Sequence, residues 1–471
     1  MPEIDLLSIS RGSVTAPAGC GKTHLVADAI TRHDHSKPIL VLTHTNAGVA
    51  ALRNRLERAA IPVARYRVAT IDGWAMRLVS LFPKRSGLNP NVLSLSNPRI
   101  HYPAIRLAAV RLLKAGHVSE IIAASYARLF VDEYQDCSLP QHAIAGYLSL
   151  VLPTCVLGDP LQAIFGFNEE LVDWDKHVRI HFPAIGELNT PWRWKNAGQE
   201  AFGLWLLEAR KMLLGRQPID LAKAPPNVKW IELDGTEDHL RRLKAGRTAA
   251  KTPAGGVLII GDSKNPRGQR DFASQTPGAT AVESVDLKDL VTFAHNFDLA
   301  SSNPLSALVD FAEEVMTNVG GADLLRRVDI HRRGTARNPP TDAEAAAMRF
   351  HAAPSNRGAI EVLVEIGKQP GVRSHRPVVL QACIKTLKGC EDHDRQAMHD
   401  AAIRAREQYR ALGRTLPKRA VGSTLLLKGL EAEVAVILNP SALNRSNLYV
   451  AMTRGSDTLI VCSRTSMITP A

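Results

Sequence analysis

The chain has 471 residues, 45% of them hydrophobic and 22% charged, with 58 Lys and Arg against 46 Asp and Glu for a net charge of +12. That composition excludes a disordered chain and gives apolar mass for about three domains, while no apolar run approaches the roughly 20 residues of a membrane span. The basic surplus favours a polyanionic partner, because each phosphate contact releases condensed counterions.

In chain order, the acidic opening Met1–Asp5 lacks an apolar signal segment, so a cytoplasmic protein is expected. Ser13, Val14 and Thr15 end a β-prone run. Ala16, Pro17, Ala18, Gly19, Cys20, Gly21, Lys22 and Thr23 then form a glycine-containing loop ahead of helical spacing from His24 to Arg32. This is the Walker A arrangement with Ala16 in place of the usual first glycine. Gly19 and Gly21 free backbone N–H groups for phosphates, Lys22 reaches the β- and γ-phosphates, and the Thr23 hydroxyl suits Mg2+. Residues 38–43 read as a buried parallel strand.

Between Phe82 and Tyr126 one short helical unit fits, with Ile105, Ala108, Ala109, Leu112 and Leu113 on one face. Arg128–Val131 is an apolar strand ending in Asp132 and Glu133. Paired acids at the carboxyl end of a buried strand suit Mg2+ binding by Asp132 and activation of water by Glu133. Residues 154–157 form a third strand that leads to Gln162, a polar side chain suited to sensing a γ-phosphate or positioning water. Further strands are expected at 228–233 and 256–260, and a helix-rich stretch from Leu287 to Ala420. Pro225-Pro226 and Pro339-Pro340 mark loops. The basic run Arg326, Arg327, His331, Arg332, Arg333 and Arg337 reads first as a solvated helix end and second as a contact to duplex DNA.

Six cysteines (20, 137, 155, 383, 390 and 462) are scattered, as expected for free thiols in a reducing compartment. Cys383, Cys390, His393 and His399 cluster in sequence, but their spacing fits no common zinc pattern.

Together these segments resemble UvrD/Rep-type superfamily 1 helicases. Ala16–Thr23 resembles motif I. Thr43–Ala47 with Ala51–Arg53 resembles motif Ia, and Thr70–Ala75 the segment after it. Val131–Asp136 is close to the family's DEYQD signature. Gly158–Phe167 resembles motif III, Leu188–Arg193 motif IV, Lys428–Glu431 motif V and Asn447–Arg454 motif VI.

The resemblance implies an α/β fold of two RecA-like P-loop domains with ATP and Mg2+ between them, and small helical insertions. The expected boundaries are 1–187 for domain 1A, with a reduced 1B insertion at about 83–125; 188–286 and 421–471 for domain 2A; and 287–420 for a 2B-like insertion. By matching position, Arg193 and Arg454 reach the γ-phosphate from the second domain, and Glu431 faces the nucleotide sugar in the same cleft. The strand-tracking face is expected from Phe167, Phe165 and Trp74, with Trp192 nearby, as base-stacking aromatics, and from Thr45, Asn46 and Thr70 as phosphodiester contacts.

Three further departures stand out. Leu6–Arg11 contains no Gln where the family reads adenine, Leu425 replaces a usual His, and Asn168 stands where Arg is common. The implied activity is an ATP-dependent translocase or helicase moving 3′ to 5′ on single-stranded DNA and its junctions with duplex. The alternative is a nucleotide-dependent sensor subunit that does not unwind alone. Such compact relatives partner a nuclease in phage defence, Gabija being one. A P-loop enzyme acting on a small molecule leaves motifs III to VI unexplained.

Overall fold

A computed structural model of the chain describes residues 4–166, 169–284, 286–412 and 417–470. It divides into two units, Met1–Glu232 with Pro440–Ala471, and Leu233–Asn439. The described strands include two six-stranded sheets flanked by helices, an α/β fold of the kind expected for paired RecA-like domains.

In the first unit, β1 (Arg11–Thr15), β2 (Ile39–Thr43), β3 (Tyr66–Thr70), β4 (Arg128–Val131), β5 (Thr154–Gly158) and β6 (Ala184–Glu187) lie in the order β3-β2-β4-β5-β1-β6. Every pairing is parallel. Strands β2 and β5 are buried along their whole length, so they read as continuous apolar runs rather than alternating ones. Parallel neighbours need long crossovers, and helices supply them: α1 (Lys22–Arg32) between β1 and β2, and α2 (Asn46–Arg58) between β2 and β3.

Between β3 and β4 run α3 (Ile71–Leu81), α4 (Pro83–Ser86), α5 (Pro98–Lys114) and α6 (Ser119–Ser125). Helix α5 buries Ile105, Ala108, Ala109, Leu112 and Leu113, the face its spacing marks. Each large apolar side chain so buried contributes roughly 1.5–3 kcal/mol. Helix α7 (Leu139–Leu148) starts in a capping box between Ser138 and Gln141 and leads to β5. After it come α8 (Arg179–His181), α9 (Trp192–Asn196) and α10 (Glu200–Leu214), then the strands β7 (Ile219–Asp220) and β8 (Val228–Glu232).

The second unit holds β9 (Val257–Ile260), β10 (Thr280–Ala281), β11 (Met316–Thr317), β12 (Arg373–Ser374), β13 (Arg419–Gly422) and β14 (Ala432–Ile437). Four of them run parallel in the order β10-β13-β9-β14, and β11 pairs antiparallel with β12. Between residues 287 and 402 the chain forms helices around their own apolar core, which includes Leu290, Leu308, Phe350, Val362, Ile366 and Cys383. Arg376, buried, pairs with Glu283 at 2.7 Å. The basic run at 326–333 is answered largely by neighbouring acids: Arg327 pairs with Glu344, Arg326 with Asp323 and Arg333 with Asp329. That accounts for it as a solvated helix face.

Back in the first unit, the helix Arg445–Met452 leads to β15 (Gly455–Ser463), parallel to β8, and β16 (Met467–Ile468), antiparallel to β7. Among the described residues no helix is long and apolar enough to cross a membrane.

Candidate active site

The parallel order of the first sheet brings the carboxyl ends of β1, β2, β4 and β5 to one edge, where doubly wound sheets hold their ligands. The loop after β1 is fastened at its start, where Ala16 N donates to Gly158 O at 2.8 Å. It then turns through Gly19 (φ 72°) and Gly21 (φ 85°), backbone conformations that favour glycine. Gly21 caps α1 without a side-chain hydrogen bond, so the first-turn amides of that helix and its dipole are left to an anion.

At these two glycines the loop has no room for a side chain. A Cβ on Gly19 would lie 2.5 Å from Trp194 Cζ3, and one on Gly21 would lie 2.9 Å from Trp192 Cδ1. Trp194 is fixed by an indole hydrogen bond to Gly455 O at 2.9 Å, whereas Trp192 is 43% exposed beside the loop.

Lys22, at the first position of α1, aims its ammonium at the end of β4. Nζ lies 2.9 Å from Asp132 Oδ1 and is also paired with Glu133. Burial works against the charged ammonium, but the two carboxylates outweigh it and hold the Lys22 pKa well above its usual range. Burial pushes the Asp132 carboxyl up, and Glu133 beside it adds to that, with Lys22 opposing. Glu133 sits at φ 55°, a left-handed conformation uncommon outside glycine, and Asp132 Oδ1 accepts its backbone N–H at 2.9 Å. Gln135 then donates to Glu133 Oε2 at 2.6 Å.

These residues fit a magnesium nucleotide. Mg2+ prefers one or two hard protein oxygens plus substrate phosphates, and Thr23 and Asp132 supply oxygens of that kind beside the uncapped amides. Among the described residues no group of three or more His, Cys, Asp or Glu is gathered for a resident metal.

The expected arginines belong to this unit too. Arg193 N donates to Gly19 O at 3.0 Å, which ties its segment to the phosphate loop. Its guanidinium donates to Thr453 O at 2.6 Å and lies 5.2 Å from the Trp194 ring centroid. Arg454, buried, donates to Val450 O at 2.8 Å and Thr453 Oγ1 at 3.0 Å, so the two arginines flank Thr453. Gln162 donates to Asp159 Oδ2 at 3.2 Å at the end of β5. Tyr449, which sequence reasoning did not single out, accepts the Ala18 N–H at 3.1 Å through its buried hydroxyl. Glu431 is exposed just before β14 in the second unit.

On the expected strand-tracking face, Thr45 and Thr70 cap α2 and α3, their hydroxyls accepting from Gly48 N and Gly73 N at 3.0 Å each. Both hydroxyls keep a proton to donate. Thr43 is in register with Thr70 across β2 and β3, so the two helix starts are neighbours, with Asn46 exposed on one of them. Phe165 is half-buried, its ring 5.5 Å from that of His44. Trp74 corrects the expectation: it is 6% exposed in the apolar core of the unit, because its position on α3 points it inward, and it offers no face to a base. Phe167 lies outside the described residues.

Residues 96–172 match the family model of the UvrD/REP helicase N-terminal domain. No curated protein sequence matches the chain. Among solved structures, the chain is similar to the Pif1 helicase from Candida albicans, at 11% identity over 99% of this chain and 94% of that one, with a TM-score of 0.41. It is also similar to Arterivirus nonstructural protein 10, a helicase in complex with DNA, at 10% identity and a TM-score of 0.37. That match covers 98% of this chain but 63% of the viral one, so the chain spans under two thirds of that relative's length. The Bacteroides Pif1 helicase, in complex with ADP-AlF3 and single-stranded DNA, matches at 16% identity over 56% of this chain and 53% of that one, with a TM-score of 0.28.

Proposed function

We propose that this chain is a superfamily 1 helicase that hydrolyses ATP to move along single-stranded DNA, a reading supported by the match of residues 96–172 to the UvrD/REP N-terminal domain. One observation carries the reading: the ammonium of Lys22 faces both Asp132 and Glu133 at the mouth of an uncapped, glycine-turned loop. A buried cation beside two acids, next to helix amides that favour an anion, is the charge pattern that phosphoryl transfer requires.

In this reading Thr23 and Asp132 hold Mg2+, which when bound neutralises charge on the phosphates. Gly19, Gly21 and the first turn of α1 receive the phosphates, and Lys22 moves its charge from the carboxylates to them. Glu133 orients water and takes its proton, with Gln135 holding the carboxylate in place. Arg193 and Arg454 stabilise charge on the transferring group. The exposed face of Trp192 beside the loop supplies a stacking surface for the base, which compensates for the missing upstream Gln. Thr45, Asn46, Thr70, Phe165 and Phe167 contact the strand, with movement 3′ to 5′.

A strand-displacement assay tests this reading. Unwinding of a 3′-tailed duplex with ATP, and not of a 5′-tailed or blunt one, is expected. Absence of displacement together with nucleic-acid-stimulated turnover would favour the sensor subunit instead.

A further inference from the structure

Arg210 lies on α10, outside every motif quoted above, yet it is almost wholly buried. Its Nε and one terminal nitrogen donate to Asp159 Oδ1 at 3.1 and 2.9 Å, Nε also lies 3.3 Å from Oδ2, and its other terminal nitrogen donates to Glu187 at 2.6 Å. Asp159 has no exposure at all. Its carboxylate accepts from Leu161 N at 3.2 Å and from the Gln162 side chain at 3.2 Å, so it fixes the turn Pro160–Gln162 by backbone and side chain together. On the other side, Asp159 N donates to Gln135 Oε1 at 3.1 Å, and Gln135 in turn donates to Glu133. One buried guanidinium therefore stands behind both polar groups offered to the attacking water.

We infer that Arg210 is a positioning residue for ATP hydrolysis, acting through Asp159 on Gln162 and, by way of Gln135, on Glu133; this rests on the ATPase reading above. A planar guanidinium that grips a carboxylate by two N–H groups sets its orientation as well as its charge, which a lone ammonium does not. Removing it leaves the buried Asp159 charge to find new partners, and the amide of Gln162 is its nearest side-chain donor.

The test is a double-mutant cycle on nucleic-acid-stimulated ATP turnover, using the wild type, Arg210→Met, Gln162→Ala and the double variant. ADP affinity and melting temperature are measured alongside. Arg210→Met is expected to lower kcat by about tenfold or more, with KM for ATP and ADP affinity held within about twofold, and to cost clearly less once Gln162 is gone, when only the route through Gln135 remains. Arg210→Lys keeps the buried charge and replaces the Met variant if that one does not fold; its expected loss is several-fold, again in kcat. Equal losses on both Gln162 backgrounds, or a loss confined to KM, would overturn the assignment. A wild type that hydrolyses no ATP on any nucleic acid would overturn the motor reading itself, a result distinct from additive losses in an active enzyme.

Discussion

Lys22 Nζ lies 2.9 Å from Asp132 Oδ1, a contact that joins the loop after β1 to the end of β4 across 110 residues of chain. It brings together in one ion pair the cation proposed to meet the phosphates and the carboxylate proposed to hold Mg2+. Nucleotide binding in this account replaces that internal pair with an external one.

Glu133→Gln keeps the shape of the side chain and its contact with Gln135 but removes the base. Turnover is expected to fall by roughly 10²–10⁴-fold with ADP affinity kept, measured by steady-state kinetics and a binding titration. Turnover within about threefold of wild type contradicts the role.

Gly21→Ala puts a side chain on a residue at φ 85° and drives its Cβ toward the Trp192 indole. Stability is expected to drop by roughly 1–2 kcal/mol in chemical denaturation, with nucleotide affinity reduced as well. The Gly19 position, facing the fixed Trp194, gives less way.

Trp74 and Phe165 separate core from interface. Trp74→Ala is expected to cost about 3–5 kcal/mol of stability, because it empties a buried site. Phe165→Ala, at a half-buried position, is expected to leave the melting temperature nearly unchanged and to weaken single-stranded DNA binding by a stacking contribution of about 1–3 kcal/mol. The opposite ranking in melting and binding experiments would refute this division.

His142 gives stability a pH dependence. It is packed against Tyr134 and His181, with its Nδ1 2.8 Å from the Tyr134 hydroxyl, and burial followed by the nearby His181 and His177 lowers its pKa to about 4. Burial raises the Tyr134 pKa well above its usual value, so the phenol stays protonated beside the neutral His142 ring. The unfolded chain binds this proton near the ordinary histidine value of about 6.5, the folded chain only near 4. Stability is therefore complete above about pH 6.5 and is lost as pH falls toward 4, by on the order of 2 kcal/mol. Denaturation at pH 7.5 and 5 should show this loss, and His142→Gln should shrink it.

The part of the candidate site that gathers Lys22, Asp132 and Glu133 was legible because its signals are local. A glycine loop between strand and helix, or two acids at a strand end, fall within eight consecutive residues. The supporting residues were not legible. Tyr449 meets Ala18 across 431 positions and Arg210 meets Asp159 across 51, and nothing local marks a tyrosine or arginine for such a partner. Trp74 misled because an aromatic beside a motif looks the same in sequence whether its helix turns it inward or outward. Trp192 was legible as an aromatic, but its place against Gly21 depends on the backbone bond between Arg193 and Gly19.

The most direct test of the account is the ATP turnover rate with no nucleic acid, with single-stranded DNA, with duplex DNA and with RNA, run beside Lys22→Ala. The account predicts strong stimulation by single-stranded DNA, little by blunt duplex, and loss of turnover in a Lys22→Ala protein that still folds. Turnover indifferent to single-stranded DNA, or preserved without Lys22, would contradict it.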